Sequence, residues 1–356
     1  MDMLHGIGVD EMAKSYVLMT AMPPTIGHLQ LIQFADLLAD EGTVVIVSTQ
    51  PHEPMVTERA ASIRSALLRT GMKNVTVIHM SQAIEQNPTA PGFWETWRDL
   101  MLEYGVTADD LIVASEPYGK KVAEITGSTF YPYDIDRSIM NVKATPIRQD
   151  PITHFAGILP EFQQYLRTTV TIFGAESTGK TTLSRQLAER LNGWWLFEYA
   201  RPYLEYTTNQ ITTDSMTAIW RGQAALQRQS ANLYDRPFVI QDTDLYSTVG
   251  YWQFPHWQSQ LGACPDRLVQ DGQLLRSDLY IVTKSNIPFE PDPLRYGGDV
   301  REGSDEYWID ICERYRLPYV VLDESDRVAR LDQAVKMATA TALKKTQEIA
   351  YDRKGL

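Results

Sequence analysis

The sequence predicts two α/β domains, each built on a parallel sheet with crossover helices. Three observations carry that expectation. Short, β-branched apolar runs alternate with stretches of helical periodicity through the first half of the chain. The alternation stops and then restarts near Thr169. A length of 356 residues suits two domains at roughly 100–200 residues each. The strand candidates are apolar throughout rather than alternating, so both faces of each sheet are covered, as parallel sheets require.

Taken in order, residues 1–15 lack periodicity and read as a flexible lead-in. An apolar run, Tyr16 to Met22, is the first strand and ends at Pro23-Pro24. Leu29–Leu38 carries Leu31, Ile32, Phe34, Ala35 and Leu38 at helical spacing. Val44–Val47 is the second strand, Ala60–Leu68 a helix, Val75–Ile78 the third strand, Phe93–Tyr104 a helix, Leu111–Ala114 the fourth strand and Lys120–Thr126 a helix. In the second half Thr169–Phe173 is a strand, followed by a glycine-rich turn and a helix through Leu191. Trp194–Phe197, Phe238–Ile240, Leu279–Val282 and Tyr319–Leu322 are further strands, with helices over Ser215–Tyr234 and Arg327–Ile349. The boundary falls near Leu166–Thr168, giving domains over 16–167 and 168–356.

Composition narrows the function. With 44% apolar and 22% charged residues the chain is an ordinary folded protein rather than a disordered one. Lys and Arg number 33 against 45 Asp and Glu, and the net charge of −12 disfavours nonspecific binding to nucleic acid or anionic membrane. A local basic pocket for a phosphorylated small molecule remains open. Cys264 and Cys312 cannot form a disulfide framework in a chain of this size and fit a reducing compartment. The histidines are scattered, and none pairs with a cysteine at zinc-ligand spacing. The N-terminus lacks a signal-peptide pattern, and no run of about 18 apolar residues is present. A cytoplasmic protein with small-molecule partners is expected, without nucleic acid or membrane, and a homo-oligomer is compatible with these features.

The strongest motif is Gly174-Ala175-Glu176-Ser177-Thr178-Gly179-Lys180-Thr181, the G-x-x-x-x-G-K-T pattern of a P-loop, set between a strand and a helix. Its glycines allow backbone N–H groups to turn inward and cradle phosphate oxygens, helped by the positive end of the helix dipole. Lys180 would reach the β- and γ-phosphates of ATP, and Thr181 would hold Mg²⁺, with Thr182 beside it. An acid is needed near the metal. Asp242 ends the strand Phe238–Ile240 and Asp244 follows two residues later; one would serve the metal and the other the acceptor hydroxyl, and the sequence does not say which. Pro291–Arg301 has the character of a lid, with Arg295 and Arg301 available to a transferring phosphate. Glu198, Tyr199, Arg201 and Tyr203 form a polar-aromatic cluster suited to a polar, aromatic acceptor.

A second motif follows the first strand: Thr25-Ile26-Gly27-His28. It resembles the H/T-x-G-H signature of the nucleotidyltransferase superfamily, in which the motif sits on a Rossmann-like sheet and binds nucleotide phosphates. Imidazole, hydroxyl and backbone N–H donors stabilise the charge that develops on a phosphate under in-line attack. The superfamily's second signature, I-S-x-T-x-x-R, is matched by Val142-Lys143-Ala144-Thr145-Pro146-Ile147-Arg148, with Lys143 where serine is usual.

The two motifs in this order resemble the NadR-type bifunctional proteins of NAD salvage, over about residues 16–350. Ser115–Gly119, Asp134–Arg137, Ile158–Glu161, Glu198–Arg201, Asp242–Asp244 and Ile287-Pro288 with Leu294-Arg295 also match in order and spacing. Thr25 stands where most members carry histidine, Met19-Thr20-Ala21 replaces the usual Gly-x-Phe, and Pro202 stands where an acid is usual. The resemblance implies a Rossmann-like nicotinamide mononucleotide adenylyltransferase domain followed by a P-loop ribosylnicotinamide kinase domain. Mg²⁺ is implied as cofactor and ATP as co-substrate; nicotinamide riboside, nicotinamide mononucleotide and NAD are the other small molecules. Thr25, His28, Lys143, Thr145 and Arg148 would bind ATP in the transferase. Trp94 or Trp97 would stack on the pyridinium ring there, worth about 0.5–2 kcal/mol. In the kinase, Glu198, Tyr199, Arg201 and Tyr203 would meet the riboside. The N-terminal helix-turn-helix of some members is not expected, since fifteen residues before the first strand are too few for one. The alternative is a kinase whose N-terminal domain has lost catalysis and senses NAD or ATP.

Overall fold

The computed structural model describes residues 13–288 and 304–349. Each of the two β/α patterns closes into its own five-stranded parallel sheet. The division between two compact units falls at Gln163/Gln164, and the second unit is Gln164–Thr346.

The first sheet contains β1 (Ser15–Met19), β2 (Thr43–Thr49), β3 (Val75–Ser81), β4 (Leu111–Ala114) and β5 (Thr129–Pro132) in the order β3-β2-β1-β4-β5. β1 is central, pairing with β2 from Ser15↔Thr43 to Met19↔Val47 and with β4 through Ser15↔Leu111. The strand order reverses at β1, which opens a crevice at the C-terminal ends of β1 and β4. The sheet is covered by Trp97 and Met101 of the helix Phe93–Glu103 and Val122 and Ala123 of the helix Tyr118–Thr126, packed with Tyr16, Ile46, Met80 and Ile112. The lead-in expected over 1–15 is shorter at its end, because Ser15 begins β1 and the Lys14 N–H donates to Asp110 Oδ1 at 3.0 Å. Residues 1–12 lie outside the described residues.

The second sheet contains β6 (Thr168–Gly174), β7 (Trp194–Leu196), β8 (Phe238–Asp242), β9 (Leu279–Thr283) and β10 (Tyr319–Leu322) in the order β10-β9-β6-β8-β7. β6 lies between β8 and β9, and β8 and β9 are buried from end to end, which explains the apolar runs Phe238–Ile240 and Leu279–Val282. Phe173, Tyr246, Trp252, Tyr280 and Trp308 dominate the core on one side. The helix expected over Ser215–Tyr234 runs from Thr213 to Gln229, started by a reciprocal cap between Thr212 and Ser215. Among the described residues no helix is long and apolar enough to cross a membrane.

Candidate active sites

β6 feeds directly into the phosphate-binding turn, and the helix Lys180–Arg190 leaves it. Gly174 takes φ +128°, and a Cβ there would lie 2.7 Å from the Thr283 carbonyl oxygen, so the tight exit from β6 demands glycine. The Thr178 hydroxyl donates to the Ala175 carbonyl at 2.9 Å and meets Thr283 Oγ1 at 2.7 Å. Lys180 Nζ donates to the Ala175 carbonyl at 2.5 Å, folded over its own loop. A cavity of about 260 Å³ opens against this turn, and Glu176, Ser177, Thr178, Gly179, Lys180, Thr181 and Thr182 all line it.

The two aspartates expected near the metal have different places. Asp242 is the last residue of β8, buried, with Lys180, Arg201 and Arg185 as its charged neighbours. Burial raises its pKa, and the hydrogen bond from Thr181 opposes the rise. Its Oδ1 is buried without a hydrogen-bond partner. Thr243 then takes φ +69° and turns the chain, so Asp244 leaves the strand direction. Asp244 caps the helix Leu245–Gln253 instead, accepting from the Tyr246 N–H at 2.9 Å and, at Oδ2, from the Tyr280 hydroxyl at 2.5 Å. Burial lifts its pKa to about 6 against those bonds. Asp244 is thus turned into the protein, and the acceptor role considered for it has no geometric support.

Besides Glu176 of the turn, the carboxylate that lines the cavity is Glu198, just after β7. Burial and the neighbouring Asp242 hold its pKa up at about 7, against the pull of Lys180 and Arg201. Arg201 and Ala200 line the cavity, whereas Tyr199 and Tyr203 do not. Their rings lie near-parallel with centroids 6.4 Å apart, and Tyr199 sits against Gly222 of the helix Thr213–Gln229. The aromatic side chains that do line the cavity are Tyr251 and Trp257, with Leu204, Ile211, Met216 and Ile219. Sequence reasoning missed both. They stand in the short helices Leu245–Gln253 and Pro255–Leu261, whose mixed composition gives no motif. Arg295 and Arg301, with the whole of the expected lid, lie outside the described residues.

In the first unit, the helix Ile26–Leu38 begins in the crevice beside β1. Thr25 is its N-cap and is buried. The Thr25 N–H donates to His28 Nδ1 at 2.9 Å, and the Thr25 hydroxyl lies 2.9 Å from the same nitrogen. A ring nitrogen that accepts a backbone N–H carries no proton, so the neutral tautomer of His28 has its hydrogen on Nε2. Burial, then the charge of Arg137, lowers the His28 pKa to about 4. The second signature lies at the same crevice. Arg148, from the helix Ala144–Gln149, donates to the Met22 carbonyl at 2.7 Å and to Thr145 Oγ1 at 3.1 Å. The Val142 carbonyl oxygen, next to Lys143, lies 3.4 Å from where a side chain on Gly27 would begin. Thr25, His28, Lys143, Thr145 and Arg148 therefore belong to one region. The tryptophans are less suited to the ring-stacking expected of them: Trp97 is a core residue, and Trp94 is half-buried with its ring edge-on to Phe93 at 5.0 Å.

Comparison with known proteins reaches both halves of the chain. The family model described as "AAA domain" matches residues 169–330. The trifunctional NAD biosynthesis/regulator protein NadR of Escherichia coli (strain K12) is 24% identical over 339 residues, covering 88% of this chain and 80% of that protein. The protein of the same name from Salmonella typhimurium is 24% identical over 341 residues, with the same coverage. Among solved structures, a NadR protein in complex with NR aligns at TM-score 0.62 and 22% identity, covering 94% of this chain and 96% of that one. A NadR protein in complex with NAD and AMP-PNP aligns at TM-score 0.61, covering 96% and 98%. In sequence over 88% of its length, and in fold over 94% of it, the chain is similar to the NadR proteins.

Proposed function

We propose that this chain is a bifunctional enzyme of NAD salvage. Residues 168–356 form a kinase domain that transfers the γ-phosphate of ATP to the 5′-hydroxyl of nicotinamide riboside. Residues 16–167 form a Rossmann-like nucleotidyltransferase domain that joins nicotinamide mononucleotide to the AMP part of ATP and releases pyrophosphate. The observation that carries this reading is the pairing of two phosphate-binding turns, each at the exit of a central strand, in a chain that aligns end to end with NadR proteins.

In the kinase, Lys180 swings from the Ala175 carbonyl to the transferring phosphate, and the loop N–H groups hold the β-phosphate. Glu198 accepts the proton of the attacking hydroxyl, which its cavity position and raised pKa support. Tyr251 and Trp257 offer rings to a flat cationic base, and Arg201 lines the same cavity. The residues present fit Mg²⁺. Asp242 has a buried oxygen without a partner, and Thr181 supplies a hydroxyl beside it. A kinase magnesium takes most of its ligands from water and phosphate, so two protein oxygens suffice. When bound, the ion neutralises charge on the β- and γ-phosphates.

In the transferase, Thr25 positions His28 rather than meeting phosphate itself, since its hydroxyl is engaged in the cap. His28 donates from Nε2 to the α-phosphate as charge builds on it, and Lys143 and Arg148 hold the flanking phosphates. Neither half needs covalent chemistry; positioning and charge stabilisation do the catalysis. Lys180→Ala abolishes riboside phosphorylation and spares dinucleotide synthesis from the mononucleotide, while His28→Ala does the reverse. Two separate product assays read this, and equal loss of both activities in either variant overturns the two-site reading.

A further inference from the structure

One buried cation stands at the wall of the cavity, against the phosphate turn, without a role in the chemistry above. Arg330, on the first turn of the helix Arg327–Thr346, is 4% exposed. Its Nη2 donates to the Thr178 carbonyl at 3.0 Å. Its Nη1 donates to Asn286 Oδ1 at 3.0 Å and to the Glu324 carbonyl at 3.2 Å. One guanidinium thus ties the phosphate turn to the segment leaving β9 and the turn leaving β10. Asn286 passes the tie on, donating to Asp323 Oδ1 at 3.3 Å, and its neighbour Ile287 lines the cavity.

We propose that Arg330 is the positioning residue of the kinase site, holding the phosphate turn in its nucleotide-binding form through the Thr178–Gly179 peptide. The reason is peptide geometry. In a planar trans peptide the carbonyl and the following N–H point in opposite directions, so fixing the Thr178 oxygen fixes the direction of the Gly179 N–H. That N–H belongs to the cradle which the G-x-x-x-x-G-K-T pattern supplies to phosphate oxygens. The planar fork of arginine holds three acceptors at once, whereas a lysine ammonium on a flexible stem does not fix their relative directions. Arg330 therefore acts on nucleotide affinity through the backbone and not by contact with the reacting atoms.

The inference rests on the kinase reading, and one experiment separates the two. Riboside phosphorylation is followed by the full-length wild-type, Arg330→Met and Arg330→Lys proteins, with ATP and riboside each varied at saturation of the other. In both variants KM for ATP rises about tenfold or more, the worth of a lost charge-assisted hydrogen bond, while KM for the riboside holds and kcat falls less than KM rises. If Arg330→Met fails to fold by circular dichroism, the lysine variant carries the same comparison. An unchanged ATP KM in the variants, a parallel rise in both KM values, or full recovery by lysine overturns the role of Arg330. A wild-type protein that leaves the riboside unphosphorylated overturns the kinase reading instead.

Discussion

Glu198 and Asp244 are both held above the usual carboxylate range by burial, but they differ in what surrounds them. Glu198 faces the cavity, with Asp242 as its acidic neighbour and Lys180 and Arg201 as its counter-charges. In the role proposed for it, its ionisation switches on proton acceptance, so kcat for riboside phosphorylation rises with pH through the Glu198 titration, which a cation on Asp242 moves down from about 7. Glu198→Gln removes that limb and lowers kcat by roughly 10²–10⁴-fold, read from pH–rate profiles at saturating substrates. Asp244 faces inward and is bound by its helix and by Tyr280. Its folded pKa of about 6 exceeds its ordinary 3.8, so its contribution to stability is full below the ordinary value and is lost as pH rises through about 6. Asp244→Asn flattens that part of the Tm–pH curve, and a steeper fall in the variant would contradict the assignment. The sequence placed Asp242 and Asp244 on an equal footing because they are two residues apart at a strand end. The positive φ of Thr243, which nothing in the residue type announces, separates them.

At the scale of elements, the polar-aromatic cluster after β7 is held by a close approach between two helices. A Cβ at Gly222 would lie 1.9 Å from Cε1 of Tyr199, so the ring occupies the space a side chain would need. The Tyr199 N–H donates to Gln223 Oε1 at 3.0 Å, from the next residue of the same helix. Tyr199 is therefore a spacer that sets where Glu198 and Arg201 enter the cavity. Gly222→Ala pushes the ring out, costs about 1–3 kcal/mol of stability as an overpacked contact, and lowers kinase activity. Tyr199→Ala in the Gly222→Ala background restores part of the stability by making room, as measured by thermal unfolding. An alanine variant as stable and active as the parent would contradict this role. The strands were legible because β2, β6, β8 and β9 are buried and carry β-branched runs, and β1 is a buried apolar run. β5 was not, since Thr129–Pro132 is short, partly exposed and holds a proline. Tyr251 and Trp257 stayed hidden for a different reason: their place on the cavity follows from packing between short helices, and no spacing in the sequence encodes it.

At the scale of the molecule, two sheets with the same logic carry the two candidate sites. Each central strand, β1 or β6, runs into a turn that begins a helix, and each sheet reverses its strand order there. The phosphate turn of the second sheet was readable because glycines and Lys180 are fixed by backbone geometry. The crevice of the first was weaker in sequence, because Thr25 and His28 gain meaning only when Arg148, more than a hundred residues away, meets the Met22 carbonyl beside them. The central claim is that two complete sites act in series, and one product analysis tests it most directly. The purified protein is incubated with nicotinamide riboside and Mg·ATP, and the products are resolved by chromatography. NAD accumulates if both sites work as described. Accumulation of the mononucleotide alone would contradict the transferase and favour an N-terminal unit that only senses nucleotide, and an untouched riboside would contradict the kinase.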